Sequence, residues 1–407
     1  MSPGARSYDL VLLGATGFVG RLTAQHLARY APPGVRVALA GRSRDRLEAV
    51  RAELGGLAAQ WPLVVVDVAE AASVHDLARS TRVLVTTVGP YLHRGVTVVK
   101  ACADTGTDYA DLTGETLFVR RSIDLANAKA QASGARIVHA CGFDSVPSDL
   151  GVGLTAARAA ADGAGTLTAT VLHVRSARGG VSGGTVDSLR QQLIEISADP
   201  QARALVGRAD ALLDAPERQR RRSSRRRLVD RDPITGVWQA PFLMGVFNRQ
   251  IVERSNALTG GSYGAEFRYR EVVDGGPGPR GAARAAVVAG GSAAFGAGMW
   301  FPPTRALLDR LLPQPGSGPS EQTLQRGRFT LEVVAGTTSG ARYRTTVSAE
   351  KDPGYYGTAV MLGEAGLALV LDELPAVAGV LTPMVALGEA LAARLRRHDF
   401  VLETSRV

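Results

Sequence analysis

Tyr8-Asp9-Leu10-Val11-Leu12-Leu13-Gly14-Ala15-Thr16-Gly17-Phe18-Val19-Gly20 is the stretch that decides the fold. Its apolar first half predicts a strand over Tyr8–Leu13, and a helical pattern, Phe18–Tyr30, begins directly after the glycine turn. Each glycine answers a different physical need. Gly14 permits a tight turn out of the strand, Gly17 lets the backbone approach a pyrophosphate, and Gly20 lets the helix pack closely on the strand. The N-terminus of that helix presents free N–H groups and partial positive charge to phosphate oxygens. The spacing is GxxGxxG, not GxGxxG. Its place between strand and helix makes it a dinucleotide-binding signal, with a plain strand–helix turn as the bland alternative. The expected contacts are Gly14, Ala15, Thr16, Gly17, Phe18, Val19 and Gly20.

Working outward, strands are expected at residues 35–40, 63–66, 83–86 and 136–140. Helical stretches alternate with them at Arg44–Leu54, 73–79, 95–103 and Thr116–Ser133, the rhythm of a parallel α/β sheet. The second strand ends in Ala40-Gly41-Arg42-Ser43-Arg44, with no carboxylate before Asp45. A site selective for NAD places Asp or Glu there for the ribose hydroxyls; Arg42 can instead pair with a 2′-phosphate, and Ser43 can donate to it. NADP(H) is therefore the expected cofactor, against the alternative that Arg42 is an ordinary surface arginine. Asp67 is placed either to border the adenine or to cap its own loop. Thr87, Val88, Gly89 and Pro90 follow the fourth strand, where backbone lines the nicotinamide side, although a simple turn uses the same residues.

After Gly142 the texture changes to α+β. Strands are expected at 167–176, 264–273, 328–334 and 341–349, the last two joined by a turn around Gly336 and Gly340, with a helix at 185–197. Two helices at 358–373 and 385–397 are interrupted by Pro375 and Pro383, and 399–404 reads as a last edge strand. The expected division is residues 1–145 as a Rossmann domain, 146–350 as an α+β substrate domain, and 351–407 as helices returning to the first domain. Residues 312–320, rich in Gly and Pro, read as a linker or exposed loop.

Net charge is +9 over 407 residues. Much of that excess lies in the arginine run 218–227, which contains Ser223 and Ser224 but no aromatic residue to stack on a base, so nucleic acid is not an expected partner. Residues 285–303 carry no charge but are mostly Ala and Gly, which weakly drives membrane insertion. A buried helix, an acyl-chain contact or a peripheral membrane contact are the readings for it. Cys102 and Cys141 cannot build a disulfide framework, and Met1–Asp9 lacks a signal-peptide plan, so the cytoplasm is expected, with peripheral membrane contact as a variant. The six histidines are scattered singly, without metal-ligand spacing, and no metal is expected. Gly180-Val181-Ser182-Gly183-Gly184 fits a nucleophile elbow, but the downstream histidine it needs is His398 alone, beside Arg396 and Arg397.

Taken with Tyr109-Ala110-Asp111-Leu112-Thr113-Gly114-Glu115, Cys141-Gly142-Phe143-Asp144-Ser145-Val146-Pro147-Ser148-Asp149, residues 179–185, 302–305 and 380–383, the chain resembles the saccharopine dehydrogenase-like oxidoreductases, including the mycobacterial trans-acting enoyl reductases. The resemblance spans nearly the whole chain. It implies a Rossmann domain, a mixed α/β substrate domain and C-terminal helices that return to the first domain. It also implies NADPH as hydride donor and reduction of an enoyl bond on an acyl, polyketide or lipid precursor held by another protein. Enoyl reduction needs a proton donor and donors to the developing enolate. Tyr91, Tyr109 and Ser145 can donate hydrogen bonds, and Asp111, Glu115 or Asp144 can serve as acid only if burial raises its pKa; Tyr91, Tyr109, Asp144 and Ser145 are the catalytic candidates. An amino-acid-like substrate and a non-catalytic lipid- or membrane-associated role are the alternatives, and a homodimer is left open.

Overall fold

The computed structural model describes residues 6–179, 183–214, 229–232, 235–300, 303–304, 318 and 321–407. The arginine run 218–227, Gly180, Val181 and Ser182, Pro302, Arg305 and most of 312–320 lie outside the described residues.

The leading stretch forms the centre of a seven-stranded sheet. Strand β1 (Tyr8–Leu13) lies between β2 (Val37–Gly41) and β4 (Thr81–Thr86), pairing in parallel with both, so that Leu12 stands beside Leu39 and Val85. Beyond β2 comes β3 (Leu63–Val65); beyond β4 come β5 (Asp108–Ala110), β6 (Arg136–Val138) and, from far along the chain, β13 (Gly379–Leu381). Every pairing in this sheet is parallel. Leu10, Val11 and Leu12 are wholly buried because helices cover both faces, which is why β1 is continuously apolar. Chain direction across the sheet reverses between β1 and β4, and that switch point opens the crevice at their carboxyl ends.

The second sheet is mixed. It runs β14 (Val401–Arg406), β12 (Arg342–Ala349), β11 (Arg328–Thr337), β7 (Leu167–Arg178), β10 (Arg268–Gly276), β9 (Trp238–Pro241) and β8 (Asp230–Arg231). Only β7 and β10 pair in parallel. Along β11, Phe329, Leu331, Val333 and Ala335 are buried and alternate with half-exposed residues, the period-2 pattern of a sheet covered on one face. Helix Val146–Ala161 supplies the cover, close enough that a Cβ on Gly151 would stand 3.0 Å from Val333 Cγ2.

The C-terminal segment serves both sheets. Helix Thr358–Leu371 packs against helix Phe18–Tyr30 and across the first sheet, where a Cβ on Gly366 would lie 2.7 Å from Val85 Cγ2 and 3.0 Å from Leu10 Cδ1. Pro353–Leu371 is long and apolar enough to cross a membrane, and it is spent inside the protein. Strand β13 then extends the first sheet, whereas β14 leaves it and pairs with β12, with Val347 opposite Leu402. The uncharged segment 285–303 falls mostly on helix Gly278–Trp300. Ala285 and Ala289 are buried against Ala240, while Val287 remains 73% exposed.

Candidate active site

The loops at the switch point enclose a cavity of about 550 Å³. Gly14 occupies φ +89°, and a Cβ there would stand 2.7 Å from Thr87 Oγ1, whose hydroxyl donates to the Gly14 carbonyl at 3.1 Å. A Cβ on Gly20 would fall 2.1 Å from that same carbonyl oxygen, so the helix packs on the turn at backbone distance. Gly17 stands at the helix N-cap without a side-chain cap, leaving first-turn N–H groups to face the cavity. Thr16, Phe18 and Val19 complete this wall; Ala15 is buried beneath the turn.

Arg42 lines the opposite end, exposed, without an ion pair to any described residue. No carboxylate from the end of β2 contributes to the wall. Ser43 caps helix Arg44–Leu54 by accepting the Arg46 N–H at 3.4 Å, which leaves its own hydroxyl hydrogen free. Asp67 lines the cavity and also fixes its loop, accepting from Ala69 N–H at 3.0 Å, which is the loop-capping role. Thr87, Val88 and Gly89 form the side nearest β4, and Pro90 follows a cis peptide bond as N-cap of helix Tyr91–Thr105. A glycine cradle, an uncapped helix end and a free guanidinium at the ribose end together fit a dinucleotide that carries a 2′-phosphate.

Among the wall residues that escaped the sequence reading, four carry polar or aromatic side chains. His93 and Arg94 lie in the first turn of helix Tyr91–Thr105, and Asp187 comes from helix Gly183–Ala198. Tyr355, from the turn Pro353–Gly357, meets Phe18 edge-on with ring centroids 5.0 Å apart. Asp187 and Tyr355 reach the cavity only through tertiary folding, and no local spacing signals that. The first-turn position of His93 and Arg94, after a strand and a Gly-Pro turn, was the available signal for the other two.

The catalytic candidates separate by environment. Tyr91 is buried, its hydroxyl donating to the Thr86 carbonyl and accepting from Leu112 N–H, both at 3.3 Å. Tyr109 is fully buried and donates to Asp111 Oδ2 at 2.9 Å; the same carboxylate holds His139 at 2.7 Å and accepts from the backbone N–H of Thr113 and Ala140. Burial pushes both phenols well above their usual range. The structure therefore keeps both tyrosine hydroxyls, and Asp111, inside the first domain. Glu115 caps helix Tyr91–Thr105, accepting from Tyr91 and Leu92 N–H at 2.9 and 2.8 Å. Ser145 is buried and donates to Asn248 Oδ1 at 2.9 Å; Asn248 in turn donates to Glu271, which Tyr269 also holds.

Asp144 differs from all of these. It sits in the loop after β6, half-buried, with its Oδ2 about 4.0 Å from where a Cβ on Gly114 would stand. It makes no hydrogen bond to a described residue, and burial pushes its carboxyl up to about 6. Ser182 lies outside the described residues, and His398 is engaged 2.8 Å from Glu364.

A parallel sheet with a glycine-rich strand–helix turn at its switch point and an exposed arginine in the cavity wall is the architecture of an NADP-dependent oxidoreductase. Residues 10–138 match the saccharopine dehydrogenase NADP binding domain. Over full length the chain is 45% identical to the trans-acting enoyl reductase of Mycobacterium ulcerans and 44% identical to that of Mycobacterium tuberculosis H37Rv, with 100% of both chains covered in each case. Its fold is similar to that of the apo saccharopine dehydrogenase (L-Glu forming) from Saccharomyces cerevisiae, at a TM-score of 0.54 and 14% identity, covering 98% of this chain and 100% of that one. The chain belongs to the trans-acting enoyl reductase family, a branch of the saccharopine dehydrogenase-like oxidoreductases, and its cofactor is NADP(H).

Proposed function

We propose that the protein reduces the carbon–carbon double bond of an enoyl thioester on an acyl, polyketide or lipid precursor presented by a separate carrier protein. The full-length identity to reductases named for acting in trans carries this reading. Bound NADPH supplies the hydride that adds to the β-carbon of the substrate. The first-turn N–H groups of helix Phe18–Tyr30 and Arg42 would hold the phosphates, and Thr87, Val88 and Gly89, which line the cavity, would face the nicotinamide. Asp144, which neighbours the cofactor-cavity lining without belonging to it, supplies the proton to the α-carbon through one water, because its carboxyl is raised toward neutrality and bonded to no described residue. Ser145, held by Asn248, positions that loop. The new C–H bonds at the α- and β-carbons replace the double bond, and NADP⁺ leaves.

The test follows NADPH absorbance with 2-enoyl thioesters, free and on an acyl carrier protein, with NADH in parallel. Consumption of NADPH with formation of the saturated thioester is expected, faster on the carrier. Turnover of neither form removes the proposal. The exposed side of helix Gly278–Trp300, with Val287 outermost, is proposed as a peripheral membrane contact in the cytoplasm. Failure to co-sediment with anionic liposomes would refute it.

A further inference from the structure

Where the first helix meets the C-terminal segment, three side chains from distant parts of the chain converge on one point. His26 lies on helix Phe18–Tyr30, Glu364 on helix Thr358–Leu371, and His398 just beyond helix Gly388–Arg396. His26 Nε2 is 2.7 Å and His398 Nε2 2.8 Å from the same Glu364 oxygen, Oε1. All three donor atoms lie within 4.8 Å of one another. The two imidazoles meet nearly edge-to-face, 4.9 Å between centroids, so their nitrogens approach that oxygen from different directions.

We propose that His26, Glu364 and His398 form a three-ligand site for a divalent transition metal of the zinc class. Two imidazoles and one carboxylate are a donor set that suits zinc, and no thiolate takes part. Bonds of about 2.0–2.2 Å at tetrahedral angles set donors about 3.4 Å apart, so each N···O separation must open by about 0.6–0.7 Å. The far oxygen of the carboxylate is already fixed, since Arg394 donates to Glu364 Oε2 at 3.0 Å, and Asp372 grips Arg394 with hydrogen bonds of 2.6 and 2.7 Å. Such outer partners orient a ligand carboxylate and leave Oε1 for the ion. Glu364 and Asp372 share the single Arg394 guanidinium. Tyr30 borders both rings, at 4.8 and 4.5 Å, and is 40% exposed, so the site opens at this rim.

The ion would staple the helix that begins at the phosphate cradle to the C-terminal segment. Tyr355, against Phe18 in the cofactor cavity, stands on the turn that leads into the helix bearing Glu364. The site is independent of the substrate reading.

The test uses the full-length, untagged protein, stripped with chelator and titrated with Zn²⁺ by calorimetry and with Co²⁺ by visible absorption. Saturable uptake of one ion per chain and a ligand-field band are expected, lost in Glu364→Gln and in His398→Gln and retained in His75→Gln, whose imidazole lies on helix Ala71–Ser80. Melting of the wild-type chain with and without Zn²⁺ guards against misfolded variants, because a ligand that binds the native state raises its melting temperature. No saturable uptake by the wild-type protein, or uptake unchanged in both cluster variants, overturns the proposal.

Discussion

At residue scale, two side chains carry the functional reading. Arg42 is free at the ribose end of the cavity, and a charge-assisted bond to a 2′-phosphate contributes about 1.5–3 kcal/mol. Arg42→Ala should therefore weaken NADPH binding by about 10- to 100-fold, while NADH binding stays unchanged in a fluorescence titration. Asp144 is the second. As general acid it must be protonated, so kcat/KM should fall as pH rises through about 6. Asp144→Asn should lower kcat by about 10²–10⁴-fold and abolish that inflection. Stability falls over the same pH window. An acid whose pKa is raised on folding favours the native state below its ordinary value of 3.8, an advantage lost as pH climbs to about 6. Asp144→Asn should thus melt higher than wild type at pH 8 and converge with it at pH 4 in calorimetric scans. The glycines, Arg42 and the Asp144 loop were legible in the sequence because each belongs to a local motif. The sealed hydroxyls of Tyr91 and Tyr109 were not, because only the folded sheet shows which way a phenol in such a motif points.

At the scale of elements, the strand–turn–helix at the N-terminus depends on backbone contact. A methyl group on Gly20 would stand 2.1 Å from the Gly14 carbonyl oxygen, so Gly20→Ala should cost about 1–3 kcal/mol in denaturant unfolding and weaken NADPH binding with it. Long periodic elements were readable for physical reasons. Tyr8–Leu13, Phe18–Tyr30, Arg44–Leu54 and Thr116–Ser133 stand where their patterns put them. Strands Asp108–Ala110 and Gly379–Leu381 were not read, since Asp-Tyr-Ala and Gly-Val-Leu lack the paired β-branched residues that mark the equally short Leu63–Val65 and Arg136–Val138. Helix Gly245–Leu258 was hidden differently. It buries Asn248, Gln250, Glu253, Arg254, Ser255 and Asn256, so its inward face looks polar in sequence. Those side chains find partners across the fold: Gln250 donates to the carbonyls of Val206 and Arg208, and Arg254 to those of Leu212 and Val380.

At the scale of the whole molecule, the segment from Pro353 onward binds the two sheets together, and the cofactor cavity takes Tyr355 from that segment and Asp187 from helix Gly183–Ala198. Sequence reading placed the C-terminal helices on the first domain, but sharing between sheets is a property of topology that no local pattern encodes. Deleting residues 401–407 removes β14, whose Leu402 stands opposite Val347, and leaves β12 as the open edge of the sheet, so light scattering should show the truncated chain self-associating more than the full chain. The central claim, that this fold passes hydride from NADPH to an enoyl bond, is tested most directly with NADPH deuterated at nicotinamide C4 and a carrier-bound 2-enoyl substrate. The expected result is a saturated product bearing one deuterium at the β-carbon, formed in step with NADPH consumed. A product without deuterium, or NADPH left intact beside unchanged substrate, would contradict it.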